Sequence, residues 1–210
     1  MPDIIWSANK TSFTYQGDTF SIPLFRSLVQ NLIAKGERLL NDCLITAESD
    51  PFASLSVNEA QFLERIKENP AEGTNGYSFL SDHRNNWLQP LQQAVLEAIL
   101  GSTKLKEKYL TCQKDGNILW KVNFIKFYTS LVDRLLEVLL LLIHISGGQP
   151  ARSPEILDLT LWNSPTRRRN LHVIDGRVMV ITRYHKSMHR TDKAKVISRF
   201  LPVNVSALLL

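Results

Sequence analysis

His144-Ile-Ser-Gly-Gly-Gln-Pro-Ala-Arg-Ser-Pro-Glu-Ile-Leu-Asp-Leu-Thr160 is the stretch on which the fold turns. A long apolar helical pattern runs into it and stops at Ser146-Gly147-Gly148, where two glycines and Pro150 end the helix. A second helical pattern opens just after Arg152, with Glu155 three residues on. A helix start offers unpaired N–H groups and the positive end of a dipole, and a planar guanidinium beside it suits a phosphate. The competing reading is a surface arginine paired with Glu155 or Asp158, worth a few tenths of a kcal/mol.

Downstream, the periodicity changes. Pro154 to Leu161 reads as helix and Asn163 to Arg169 as a polar, basic loop. Leu171–Asp175 and Arg177–Tyr184 are β-rich runs joined at Asp175-Gly176, a two-residue hairpin signal. Lys195–Leu201 reads as a third strand stopped by Pro202, and Val203–Leu210 as the opening of another helix without a cap. The pattern is that of a domain cut partway through.

Upstream, the chain is helical. Phe13–Phe20 alternates around Gln16-Gly17-Asp18 and suggests a small hairpin. Ile22–Leu44 carries Leu24, Leu28, Leu32, Leu39 and Cys43 at helical spacing. Ser56-Val-Asn-Glu59 fits a capping box opening a helix through Ile66, and Asn69–Gly76 reads as loop. Further helices are expected over Asn86–Leu100, Lys104–Cys112 and Leu119–Ile145. The expected fold is α+β and mostly helical: a helical bundle over 1–145, then a smaller domain over 146–210 with a three-stranded antiparallel sheet.

The charge distribution is uneven along the chain. Residues 1–150 carry 14 Lys+Arg against 16 Asp+Glu, and residues 151–210 carry 11 against 4. A basic excess confined to one end is the electrostatic footprint of an anionic partner, nucleic acid most often; the bland alternative is a solvated surface. Cys43 and Cys112 are far apart, which provides neither a disulfide framework nor a cysteine zinc pattern and points to buried thiols in a reducing compartment. The N-terminus lacks the basic and apolar segments of a secretory signal. The uninterrupted apolar run Val138–Ile143 falls far short of the roughly 18 residues of a membrane span.

Three groups of basic residues are candidates for chemistry. Lys186 follows the second strand, where a lysine can neutralise a phosphate or donate a proton. Arg167, Arg168 and Arg169 can contact a phosphate backbone without reading sequence. Arg183, His185, Arg190, Lys193 and Lys195 extend the same basic region. His185 and His189 have metal spacing only on a helix, and the flanking β pattern and want of a third ligand argue against zinc. His144 reads as a core histidine. No cofactor-binding motif is present.

The order helix, arginine box, two strands, lysine turn, strand, helix resembles the first half of a tyrosine recombinase catalytic domain. That family's first box reads roughly Thr-Gly-x-Arg-x-x-Glu-Leu-x-x-Leu-x-Trp. Here it is Gly148-Gln-Pro-Ala-Arg152-Ser-Pro-Glu155-Ile-Leu-Asp-Leu159-Thr-Leu-Trp162, with two extra residues before the arginine. Val196-Ile-Ser-Arg-Phe-Leu-Pro202 is similar to the family's third strand. The Gly-Gly-Gln-Pro-Ala-Arg, Tyr-His-Lys and Arg-Phe-Leu-Pro segments resemble a region upstream of RecQ-like helicases in fungal telomere-linked and transposon-related proteins.

The resemblance implies a helical domain and a catalytic half that clamp duplex DNA in the nucleus. Arg152 would hold the scissile phosphate, Glu155 would support it structurally, and Lys186 would protonate the leaving 5′ oxygen. The family's second arginine box and its tyrosine nucleophile lie downstream of the matched region, and none of the five tyrosines here stands in their place. The expectation is a DNA-binding fragment without strand-cleaving activity. A helical scaffold that docks a RecQ-like helicase, or self-associates through an exposed Leu208-Leu-Leu210 end, is the rival reading.

Overall fold

A computed structural model describes residues 4–44, 59–112, 118–182 and 196–210. The fold is α+β and mostly helical, with small antiparallel sheets. The N-terminal hairpin gains a third strand: β1 (Ile4–Trp6), β2 (Ser12–Tyr15) and β3 (Asp18–Ser21) form a meander. Its register sets Trp6, Phe13 and Phe20 side by side, with successive ring centroids 5.1 and 5.0 Å apart. The Ser21 hydroxyl then accepts the Leu24 N–H at the start of α1 (Ile22–Leu44). Only Gly36, Leu39 and Cys43 of α1 are buried, so Leu24 and Leu28 stand at the surface.

α2 (Glu59–Arg65) falls within the expected helix, whose capping serine, Ser56, lies outside the described residues. Two 3₁₀ turns follow, capped by Ser78 and Asp82, and the helix expected from Asn86 becomes regular only as α3 (Gln89–Gly101). Next, α4 (Thr103–Tyr109) stops short of its expected end. Leu110–Cys112 is a strand, β4, paired with β5 (Ile118–Trp120), so α5 starts at Val122 and runs to Ser146. Two three-residue runs are too short for periodicity to distinguish strand from helix. Pairing decides: the Lys121 N–H goes to the Tyr109 carbonyl, not into a helix.

α6 (Ser153–Ile156) is one turn, not the helix to Leu161 that the spacing predicts. Asn170 explains the early stop. Its side chain accepts the Thr160 N–H at 2.6 Å and donates to the Asp158 carbonyl at 3.1 Å, and the Asn170 and Leu171 N–H groups both reach the Thr160 carbonyl. The backbone groups a longer helix would use are already bonded. β6 (Leu171–Ile174), β7 (Arg177–Thr182) and β8 (Ile197–Phe200) form the expected antiparallel sheet, in that order, and α7 (Val203–Leu209) closes it. The hairpin turn has Asp175 at φ 51° and Gly176 at φ 68°, the left-handed pair of a two-residue turn.

The main core crosses residue 145. Leu39 and Cys43 of α1 and Leu135, Val138, Leu139 and Leu142 of α5 meet Val178, Val180, Leu201, Val205 and Leu208. At Gly36 the crossing is close: a methyl there would lie 3.2 Å from Leu208 Cδ1 and 3.6 Å from Val138 Cγ1. The expected exposed C-terminal patch is therefore corrected at Leu208, which is buried beneath α1, while Leu210 is 38 % exposed. A second cluster joins Val173 of β6 to Ile66, Phe79 and Leu88.

Candidate nucleic-acid interface

The turn between α5 and α6 uses its two glycines differently. Gly147 caps α5 by donating its N–H to the Ile143 carbonyl; a Cβ there would press to 2.8 Å from that oxygen and 3.6 Å from Arg199 Cδ. Gly148 takes φ +86°, which glycine adopts without strain. The chain then runs extended into Arg152, at φ −75° and ψ 156°. The Glu155 carboxylate reaches back and accepts the Arg152 N–H at 3.3 Å, while the Arg152 side chain is exposed. Because α6 is a single turn, its dipole adds little, and the one group here suited to an anion is the exposed guanidinium.

A second arginine, not singled out from the sequence, organises this turn. Arg199 projects inward from β8 and is 8 % exposed. Its Nε donates to the Gln149 carbonyl at 3.0 Å, its Nη1 donates to Thr182 Oγ1, and its Nη2 lies 3.8 Å from Glu155 Oε2. One guanidinium thus joins the Gly-Gly-Gln turn, the end of β7 and the carboxylate behind Arg152. A signal for it was present. In Val196-Ile-Ser-Arg-Phe-Leu201 the strand period puts Ile197, Arg199 and Leu201 on the inward side, against exposed Val196, Ser198 and Phe200.

The arginine run divides into three environments. Arg167 is exposed and ion-paired to Asp158. The Arg168 guanidinium, also exposed, lies over Gly73, where an added Cβ would come within 2.7 Å of its Nη2. Arg169 is a correction to the basic-loop reading: it is 1 % exposed and belongs to the interior. Its Nη2 donates to Glu68 Oε1 at 2.6 Å and to the Asn69 carbonyl at 2.8 Å. Its Nη1 donates to the Glu72 carbonyl and Asn163 Oδ1, and its charge sits 4.6 Å from the Tyr77 ring centroid. Such an arginine is closed to an outside ligand; it fastens the 68–77 loop to the segment leading into β6.

Neighbouring groups make that anchor rigid. Asn163 donates to the Glu72 and Thr74 carbonyls, and His172 Nδ1 lies 3.8 Å from Glu68 Oε2. The Tyr77 hydroxyl donates to Asp82 Oδ2 at 2.6 Å, and burial together with that carboxylate pushes its pKa up to about 12. Paired donation from Arg84 holds the Asp82 carboxyl well below the usual carboxylate range.

Arg183, His185, Lys186, His189, Arg190, Lys193 and Lys195 lie outside the described residues. The two residues that bracket them, Thr182 and Val196, are described. Thr182 Oγ1 accepts from Arg199 Nη1, so the last described residue of β7 is tied to the Arg152 turn. Among the described residues no group of three or more His, Cys, Asp or Glu side chains could hold a metal ion. Among them, too, no helix is long and apolar enough to cross a membrane. Neither a family model nor a solved structure matches the chain.

Proposed function

We propose that this chain is a duplex-DNA-binding region of a tyrosine recombinase-like breakage-and-rejoining protein that works in the nucleus. The observation that carries the reading is the Arg199 bridge. It ties exposed Arg152, through Gln149 and Glu155, to Thr182, from which the cationic 183–195 segment departs. In this reading the Arg152 guanidinium presents parallel N–H donors to two oxygens of one phosphate. Arg167, Arg168 and the cations of 183–195 contact flanking phosphates, and Lys186 neutralises the same phosphate as Arg152. The proposal is binding, not cleavage. The Tyr77 hydroxyl stays protonated on Asp82, and Tyr109 is buried in an apolar cluster, so neither is placed to attack a phosphodiester.

Fluorescence anisotropy with a short duplex across a salt series tests this. The affinity should fall steeply with salt. Arg152→Gln should reduce the slope of log affinity against log salt by about one, and the pair Arg167→Gln/Arg168→Gln by up to about two. Absence of binding at low salt, or slopes untouched by these changes, sinks the reading.

One observation favours a second reading, a module that docks a protein such as a RecQ-like helicase. Ile4, Ile5, Trp6, Leu24 and Leu28 are all about half exposed or more, and Ile118, Val122, Ile125 and Phe127 expose a second apolar surface. Association that strengthens with salt and survives Arg152→Gln would support it over DNA binding.

A further inference from the structure

We infer that Arg199 is a positioning residue for phosphate binding by Arg152. The inference rests on the DNA-binding reading above and goes beyond it, because Arg199 is buried and does not face a ligand.

The argument begins with cost. A guanidinium on the inward side of a strand, between Ile197 and Leu201, is expensive to desolvate, and an apolar side chain of similar volume is often as stable or more so. What an apolar group cannot do is bond in three directions. Arg199 donates to the Gln149 carbonyl, to Thr182 Oγ1 on β7, and stands beside the Glu155 carboxylate that receives the Arg152 N–H. Its stem also runs against Gly147, which fixes where α5 ends. Glycine at φ +86° and a one-turn α6 give the intervening 148–156 stretch little stiffness of its own. The Arg199 fork supplies that stiffness, so the direction of the Arg152 side chain depends on it. Preformed geometry lowers the ordering cost of a phosphate contact, which is how a buried group raises affinity without touching the ligand.

Arg199→Lys is the informative variant. It keeps the stem and the charge beside Glu155 but loses the planar fork that spans Gln149 and Thr182. Binding to a short duplex at about 0.1 M salt is measured for wild type, Arg152→Gln, Arg199→Lys and the double variant, at a temperature where thermal melts show all four folded. The expected result is that each single change weakens binding roughly tenfold, the worth of one charge-assisted contact, and that the double variant is no weaker than Arg152→Gln alone. A merely structural role predicts losses that add. Amide hydrogen exchange of the free protein gives a second measurement: Arg199→Lys should speed exchange at residues 148–152 while the α5 interior stays protected.

If Arg199→Lys leaves affinity unchanged, or its loss adds to that of Arg152→Gln, the positioning role is wrong while the DNA reading stands. Equal speeding of exchange along α5 also overturns it, since that marks general loosening. If the wild type binds DNA and Arg152→Gln binds equally well, the reading of Arg152 fails and the positioning role falls with it. Failure of the wild type to bind overturns both.

Discussion

Arg167, Arg168 and Arg169 are adjacent and chemically identical, yet one of them is buried. Contacts made far along the chain decide which: Glu68 lies 101 residues before Arg169 in sequence and 2.6 Å from it in space. No local pattern carries that information, so a run of three cations reads as one basic feature. Arg199 is the opposite case, because strand alternation alone marks it as inward-facing. The two buried arginines differ in consequence. Replacing Arg169 by Met removes the partner of a carboxylate that is itself 3 % exposed and should cost about 3–5 kcal/mol in urea unfolding. The salt slope of DNA binding by the protein that remains folded should not change, since Arg169 meets no phosphate. A lowered slope would return Arg169 to the binding face.

At the scale of elements, legibility follows local signal strength. α1 and α5 are long and periodic, and both stand close to where their spacing puts them. The β6–β7 hairpin is equally legible because Asp-Gly specifies its turn. Both central residues have positive φ, and an aspartate tolerates what other side chains resist. The β4–β5 pair and the short α6 were not legible. Pairing across a turn and the side chain of Asn170 override helical spacing there. β7 also reaches the site, since the Thr182 hydroxyl at its end accepts from Arg199 Nη1. Gly176→Ala would force a side chain into φ 68° and against Glu64 Cγ at 3.0 Å, and should cost about 1–2 kcal/mol by thermal melt. Unchanged stability would mean the turn holds a different conformation.

At the scale of the molecule, sequence organisation and packing divide the chain differently. Composition and charge change sharply after residue 150, which suggests two units. The apolar core instead joins α1 and α5 to β7, Leu201 and α7. Charge patterning reports on the surface that meets a partner, whereas burial reports on what must fold together, and the two need not share a boundary. Leu142 distinguishes them. It is fully buried where α5 meets the strands, and Leu142→Ala should cost about 2–5 kcal/mol. If the core is one cooperative unit, hydrogen exchange should accelerate to the same extent in α1 around Leu39 and in β7 around Val178–Val180. Acceleration confined to α1 and α5 would show that the sheet has stability of its own. In that case the sheet would move as a body relative to the helices, and the link from Gly147 through Arg199 would act as the joint between them.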